Sequence, residues 1–469
     1  MEIRHNLVLA GTETFSKGSL DNAALEDGCI VLDDVAGLHM PFGCYTTPEF
    51  AMPPFCNLNI SWNAETPAHT VVEVQCRVLA GGRWSGWISF GKWSPDYPRS
   101  SPGGTGGPDS LVFCSGENIT VAVSGGGVGL QLRVYLYSDD DKLTPAVRML
   151  AVAARPLGWE KQFGRPVNRQ LYLPAYRLKN HDPSFGASMA LPLTLAAMMN
   201  RYGEDVLPEE LAYGMSDGAT ASCRNAAYAA AMAGCCGYRC WQVWADLKDL
   251  RGEIRAGYAA AVELEPRADV RDATTRWAGL RGFEHDEKLI TDHVLLCDPT
   301  DEENGGELRL TMEEFRQQFT GRALFLRPRE RGLLLRGIRT VRPQRYACSM
   351  KRMDTPDVYL FEHRGEPWPL PEPFNGWVAA SPRDGIARAT TAERVFHRLE
   401  STGQGTVRLP AELMLPGARY TLYAVDETGT LWAAELRLPA NLPKPPPPPE
   451  ALEPESASEP GTHADTASE

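Results

Sequence analysis

Apolar residues recur at every second position through three long runs in the first third of the chain. Leu58, Ile60 and Trp62 alternate in NLNISWN, Val72, Val74, Cys76 and Val78 in VVEVQCRV, and Leu130, Leu132, Val134 and Leu136 in LQLRVYL. A period of two puts such residues on one face of a pleated strand. With Gly- and Pro-rich turns between the runs, as in SGGGVG, the pattern predicts an antiparallel β-sandwich over residues 1–155, one face inward and one outward. The period then changes. LPLTLAAMMNRYG sets Leu191, Leu195, Met198 and Met199 on one helical stripe, with Pro192 in the first turn. LPEELAYGM, NAAYAAAMAG and LKDLRGEIRAG read as further helices, the last two closing on Gly. Strand candidates AAAVELE, WAGLRGF, HVLLCDP and RALFLRP follow, and helices before strands is an α+β order.

Two textures in 469 residues imply several domains. Residues 340–440 return to strands, and ARYTLYAV and TLWAAELRL flank a hairpin loop at Asp426-Glu427-Thr428-Gly429. From Lys444 five prolines run into ALEPESASEPGTHADTASE, which has too few apolar residues to form a core. Residues 443–469 are therefore predicted to be a disordered acidic tail, although a proline run can also serve as ligand for an aromatic groove. The expected organisation is a β-sandwich at 1–155, an α+β domain at 165–330, a β-rich (Ig-like) domain at 340–440 and the tail.

Composition narrows the function. Lys+Arg 47 against Asp+Glu 60 gives a net charge of −13, which argues against a broad phosphate-binding face and a nucleic-acid partner. No window approaches the roughly 18 uninterrupted apolar residues of a membrane span. MEIRHNLVLAGTETF lacks the apolar core of a secretory signal, so a cytoplasmic location is expected. Of the eleven cysteines, Cys235, Cys236 and Cys240 form C-C-x3-C, half of a zinc knuckle at most. Neither a metal nor a cofactor is expected. Trp84, Trp87 and Trp93 surround a predicted hairpin and are assigned to the core, the other reading being a stacking platform for a sugar. Asp139-Asp140-Asp141 reads as a solvated turn, the other reading being capture of a hard cation.

Five stretches of the middle region resemble the peptidase C39-like family, whose fold is that of papain-like cysteine peptidases. LYLPAYRL resembles its opening strand, ALPLTLAAMMNRYG its nucleophile helix, and RGEIRAGYAAAVEL the helix and strand before the active-site histidine. LRGFEHDEKLITDHVLLCDPT resembles the strands ending in the orienting acid, and TMEEFRQQFTGRALFLRP the closing helix and strand. SWNAETP and GRWSGW near the N-terminus resemble an accessory β-sandwich that precedes this domain in some bacterial relatives. The resemblance implies a thiolate at a helix N-terminus, an imidazole base, an orienting acid and an oxyanion donor. Aligned without gaps, the nucleophile position holds Ala190, the histidine position falls at or beside Arg276, and the oxyanion glutamine falls on Leu178. Only the acid, Asp298, is retained.

The expected protein is thus catalytically inactive, with a binding or scaffolding role toward a peptide, protein or glycan ligand. Two alternatives remain: a cysteine hydrolase using Cys223 with His293 or His181, and a carbohydrate-binding protein using the Trp-rich sandwich. Ser188, two residues before Ala190, is expected to begin or cap the helix. Arg276 and Asp298 are expected to form a charge-assisted pair.

Overall fold

A computed structural model describes residues 5–95, 97–102, 110–202, 206–266, 274–286 and 291–327, with the backbone of seven further strands between Arg345 and Arg437. Thirteen strands of the N-terminal region make one antiparallel sheet that nearly closes on itself. Its longest strand, Phe50–Glu65, bends: its first half pairs with Gly127–Ser138 and its second with Ala146–Pro156. The alternating residues fill the interior as expected. Leu58, Ile60, Trp62, Val72, Val74, Cys76, Leu132 and Leu136 are fully buried.

The other face of that strand departs from expectation. Asn59, Ser61 and Asn63 should face water, yet each is at most 1% exposed. They are buried because the middle region docks on them. That region is a seven-stranded antiparallel sheet in the order Arg239–Trp244, Phe319–Arg327, Ala260–Leu264, Arg276–Asp286, Thr291–Cys297 and Glu307–Thr311, with Arg169–Gln170 beside Arg276–Asp286. Helices Ala190–Asn200, Pro208–Met215, Ala226–Cys235 and Leu247–Ala256 precede or interrupt its strands, and Met312–Gln318 precedes the last. Leu247–Ala256 stops at Gly257, whose left-handed φ of 96° closes the helix without a Cβ penalty. Helix Ala190–Asn200 is buried at every position, not along one stripe. Strand Arg276–Asp286 and two helices, Pro208–Met215 and Ala226–Cys235, cover its different sides.

Strand Arg239–Trp244 is the edge of this sheet, paired only with Phe319–Arg327. Its other side is completed by side chains of the N-terminal region. Asn63 Oδ1 accepts from Cys240 N (3.0 Å), and Asn63 Nδ2 donates to Cys240 O (2.7 Å) and to Ala230 O (3.0 Å). Ser61 Oγ accepts from Gln242 N at 3.0 Å. Asn6 Oδ1 accepts from Trp244 N (3.0 Å), and its Nδ2 donates to Trp244 O (2.8 Å). Contacts fall on residues 240, 242 and 244 because alternate residues of a strand turn their peptide groups to the same side.

Beside this seam, Glu117 accepts from Ala227 N at 2.7 Å, at the start of helix Ala226–Cys235, and pairs with Arg322. Arg322 also reaches Glu263 Oε1 at 3.1 Å and Gln242 Oε1 at 3.0 Å. Burial disfavours the Arg322 charge, but Glu117 and Glu263 outweigh it and hold the guanidinium above its usual range. Arg99, fully inside, donates to five backbone carbonyls, among them Tyr213 O (2.6 Å) and Ser216 O (3.2 Å). It thereby ties the loop after Trp93 to the end of helix Pro208–Met215. The connecting segment docks as well: Trp159 lies over Gly321, where a Cβ would fall 2.4 Å from the indole.

The seven C-terminal strands close into a barrel, and Arg419–Val425 and Leu431–Arg437 pair as the expected hairpin. The predicted disorder of 443–469 lies outside the described residues. Among the described residues no helix is long and apolar enough to cross a membrane.

Two outcomes are expected from the seam. Asn63→Ala strands three peptide groups in the interior and should destabilise by about 3 kcal/mol, with both regions unfolding in one denaturant transition. Burial, opposed by Arg148, pushes the nearby Glu65 carboxyl up from 4.5 to about 7. A group whose folded pKa is raised gives stability that is complete below its unfolded value, here 4.5, and is lost as pH rises through about 7. Melting temperature should therefore fall between pH 5 and 8, and Glu65→Gln should flatten that fall.

Candidate functional site

Strand Arg276–Asp286 begins, and strand Thr291–Cys297 ends, at the same end of the middle sheet, with Gly279 opposite Cys297. That register brings Arg276 to Asp298. Arg276 Nε donates to Asp298 Oδ2 at 2.8 Å, Nη2 to Gln318 Oε1 at 2.6 Å, and Nη1 to Glu265 O. Asp298 Oδ1 accepts from Thr300 N (2.9 Å) and Thr300 Oγ1 (2.7 Å). The arginine is 8% exposed and the aspartate 0%. The expected ion pair is thus formed, and all three guanidinium nitrogens are engaged. An arginine keeps its charge near neutral pH and cannot accept a proton there.

Leu178 opens a short 3-10 turn and donates its N–H to Pro299 O at 3.0 Å, so the opening segment lies against the loop that carries Asp298. Ala190 is the first residue of its helix and is buried. One turn on, Thr194 Oγ1 donates to Trp277 O at 3.3 Å, seating that helix beside Arg276–Asp286. Ala190, Leu178, Arg276 and Asp298 therefore belong to elements in mutual contact. Ser188 does not cap the helix. It lies in the 3-10 segment Pro183–Met189, donates to Phe185 O, and leaves Met189 as an N-cap without a side-chain bond.

Cys223 is fully buried against Ser188, and its Sγ donates to Ser188 O at 3.2 Å. Burial pushes the thiol up to about 11, so little thiolate exists near neutral pH. His293 sits elsewhere, opposite Thr311 in the strand ladder. His181 is buried with Glu209, Nδ1 to Oε1 at 2.7 Å, under the edge of Tyr176. Of the C-C-x3-C run, Cys235 donates to Ala64 O (3.2 Å) and Cys240 is buried at the seam, and none of the ten described cysteines is in a disulfide. Asp139-Asp140-Asp141 forms a turn in which Asp140 Oδ1 accepts from Lys142 N at 3.0 Å.

The tryptophans divide. Trp93 is fully buried, as assigned, whereas Trp84 and Trp87 are only half-buried and do not belong to the core. They stand on the sheet edge between arginines: Arg77 lies 4.6 Å from the Trp84 ring centre, and Arg133 lies 4.2 Å from that of Trp87. Sequence reasoning missed the seam residues Asn6, Ser61, Asn63, Glu117 and Arg322. The available signal was the uncharged polar series Asn57, Asn59, Ser61, Asn63 on the supposedly solvated face. A free face usually carries charge.

Residues 12–155 match the family model of the peptidase C39 N-terminal domain. The match falls on the accessory sheet that the sequence sets before the middle region and does not extend into that region. No curated protein matches it. Among solved structures, the peptidase domain of Streptococcus ComA, a bifunctional ABC transporter of a quorum-sensing pathway, is 17% identical. It covers 35% of this chain and 100% of that domain, with a TM-score of 0.25. The C-terminal CBM6 of LamC from Zobellia galactanivorans is 16% identical over 31% of this chain and 98% of that one, with a TM-score of 0.17. Neither superposes well enough to carry chemistry across.

Removing the guanidinium would leave Asp298 charged and unpaired in the interior. Arg276→Ala should therefore cost about 3–5 kcal/mol in chemical denaturation. Arg276→Lys, which keeps the charge and loses the forked contacts, should cost less.

Proposed function

We propose that residues 165–330 form a papain-type C39 domain whose catalytic positions have been replaced, and that the protein binds or scaffolds rather than cleaves. The observation that carries this reading is the saturated Arg276–Asp298 pair. Where the resemblance calls for an imidazole free to move a proton, a guanidinium is fixed by an aspartate, a glutamine and a peptide carbonyl. Where it calls for a thiolate, Ala190 offers a methyl group. The boundaries 1–155, 165–330 and 340–440 belong to the same reading, with the first two regions acting as one body. A cytoplasmic setting accords with ten described cysteines outside any disulfide.

The rival reading is a hydrolase built on Cys223, which lies beside the start of the same helix. Its burial and raised pKa speak against it, since an attacking thiol needs access and a base within hydrogen-bond reach. Purified protein should show no thiol-dependent cleavage of peptide substrates, and an active-site thiol probe should not label it stoichiometrically. Rapid labelling confined to Cys223, with loss of a measurable hydrolase activity, would overturn the proposal.

A further inference from the structure

Among the strands of the thirteen-stranded sheet that pair on one side only are Ile88–Trp93 and Val112–Ser115. Part of the first edge is closed: Tyr228 Oη from the middle region donates to Phe90 O at 3.2 Å. Its other end opens into a groove of about 520 Å³ lined by Arg83, Trp84, Trp87, Ile88, Ser110 and Leu111 among others. No carboxylate side chain is among the described lining residues. In a chain with a net charge of −13, a wall whose described residues include an exposed arginine and no carboxylate side chain is a local change of sign. Arg83 makes no ion pair among the described residues.

The indoles are held in place. Arg77 sits 4.6 Å from the Trp84 ring centre and 5.1 Å from that of Trp87, and is itself tied to Gln131 (2.8 Å) and Glu49 (3.1 Å). Arg133, 4.2 Å from the Trp87 ring centre, is tied to Gln75 at 2.7 Å. Trp62 and Trp93 already supply the buried indoles of this sheet, so the half-exposed pair is not needed for its interior. Fixed aromatic faces bind at a smaller entropic cost than mobile ones.

Two demands define the ligand: a flat, weakly polar face to lie on indole and a negative group for Arg83. A pyranose ring bearing a carboxylate meets both. We propose that the Trp84–Trp87 groove binds an acidic glycan, a chain of uronic-acid type, with a ring on Trp87 and a carboxylate on Arg83. This goes beyond the reading of the middle region and stands whether or not that region is catalytic.

The intact chain is titrated with trigalacturonate and, separately, with neutral cellotriose, followed by tryptophan fluorescence and calorimetry. Trigalacturonate should bind, and cellotriose more weakly. Arg83→Gln should weaken trigalacturonate about tenfold and leave cellotriose unchanged. Trp87→Ala should weaken both by about tenfold or more, with an unchanged circular dichroism spectrum. Should Trp87→Ala fail to fold, the exposed Arg83→Gln still decides. Equal binding of the two sugars, no binding of either, or indifference to Arg83→Gln would overturn the proposal. So would capture at Trp87 of a peptide with the sequence of residues 444–455, which would give the groove to the chain's own proline-rich segment.

Discussion

The edge strand Arg239–Trp244 has no strand partner on one side, yet Cys240 is fully buried there and Gln242 is 2% exposed. Buried peptide groups must find partners, and a bare sheet edge inside a protein would be costly. Asn6, Ser61 and Asn63 provide those partners from the N-terminal sheet. Asparagine suits the task because one side chain both donates and accepts, as a neighbouring peptide would. Glu117 adds a buried carboxylate that makes sense only with Arg322 and the start of helix Ala226–Cys235 beside it. Each region thus contains groups that only the other can satisfy. The accessory sheet is a finishing layer of the middle sheet, not an appendage on a linker.

That coupling bears on chemistry. Helix Ala226–Cys235 is clamped by Asn63 and Glu117, and the segment just before it carries Cys223 against Ser188 at the entry to helix Ala190–Asn200. The elements that would shape a catalytic cleft are therefore braced from the accessory side. On the proposed reading, Arg276 and Asp298 hold a static contact where the resemblance calls for a proton-transfer pair. A guanidinium with every nitrogen engaged is a structural tie between the end of the middle sheet, Asp298, Gln318 and the Glu265 carbonyl.

Much of this was legible in the sequence. The period of two located the N-terminal strands, and the switch to helical spacing located four helices; Leu247–Ala256 closes at a left-handed glycine, whereas Ala226–Cys235 runs past Gly234 to a cap at Cys236. The pairing of Arg276 with Asp298 was expected from the family resemblance, which sets these two residues at the matched ends of two strands. What failed was exposure. Alternation in NLNISWN says which residues share a face, but not what lies against it. Asn63 reads as solvated until a second region arrives. The all-round burial of Ala190–Asn200 has the same origin, since a stripe of large residues marks the first neighbour and not the third. Trp84 and Trp87 erred the other way: indoles suggest a core, while they lie against Arg77 of the adjoining strand and Arg133 of a strand distant in sequence. The strand RCWQVW was invisible for a related reason, its outward positions being matched to side chains and not to another strand.

The most direct measurement is native-state hydrogen exchange at the amides of Cys240, Gln242 and Trp244. If side chains of the N-terminal sheet complete this edge, these amides should exchange only through global unfolding, as slowly as those of the central strand Ala260–Leu264. Fast exchange at the three, of the kind seen at a frayed sheet edge, while Ala260–Leu264 stays protected, would contradict the account.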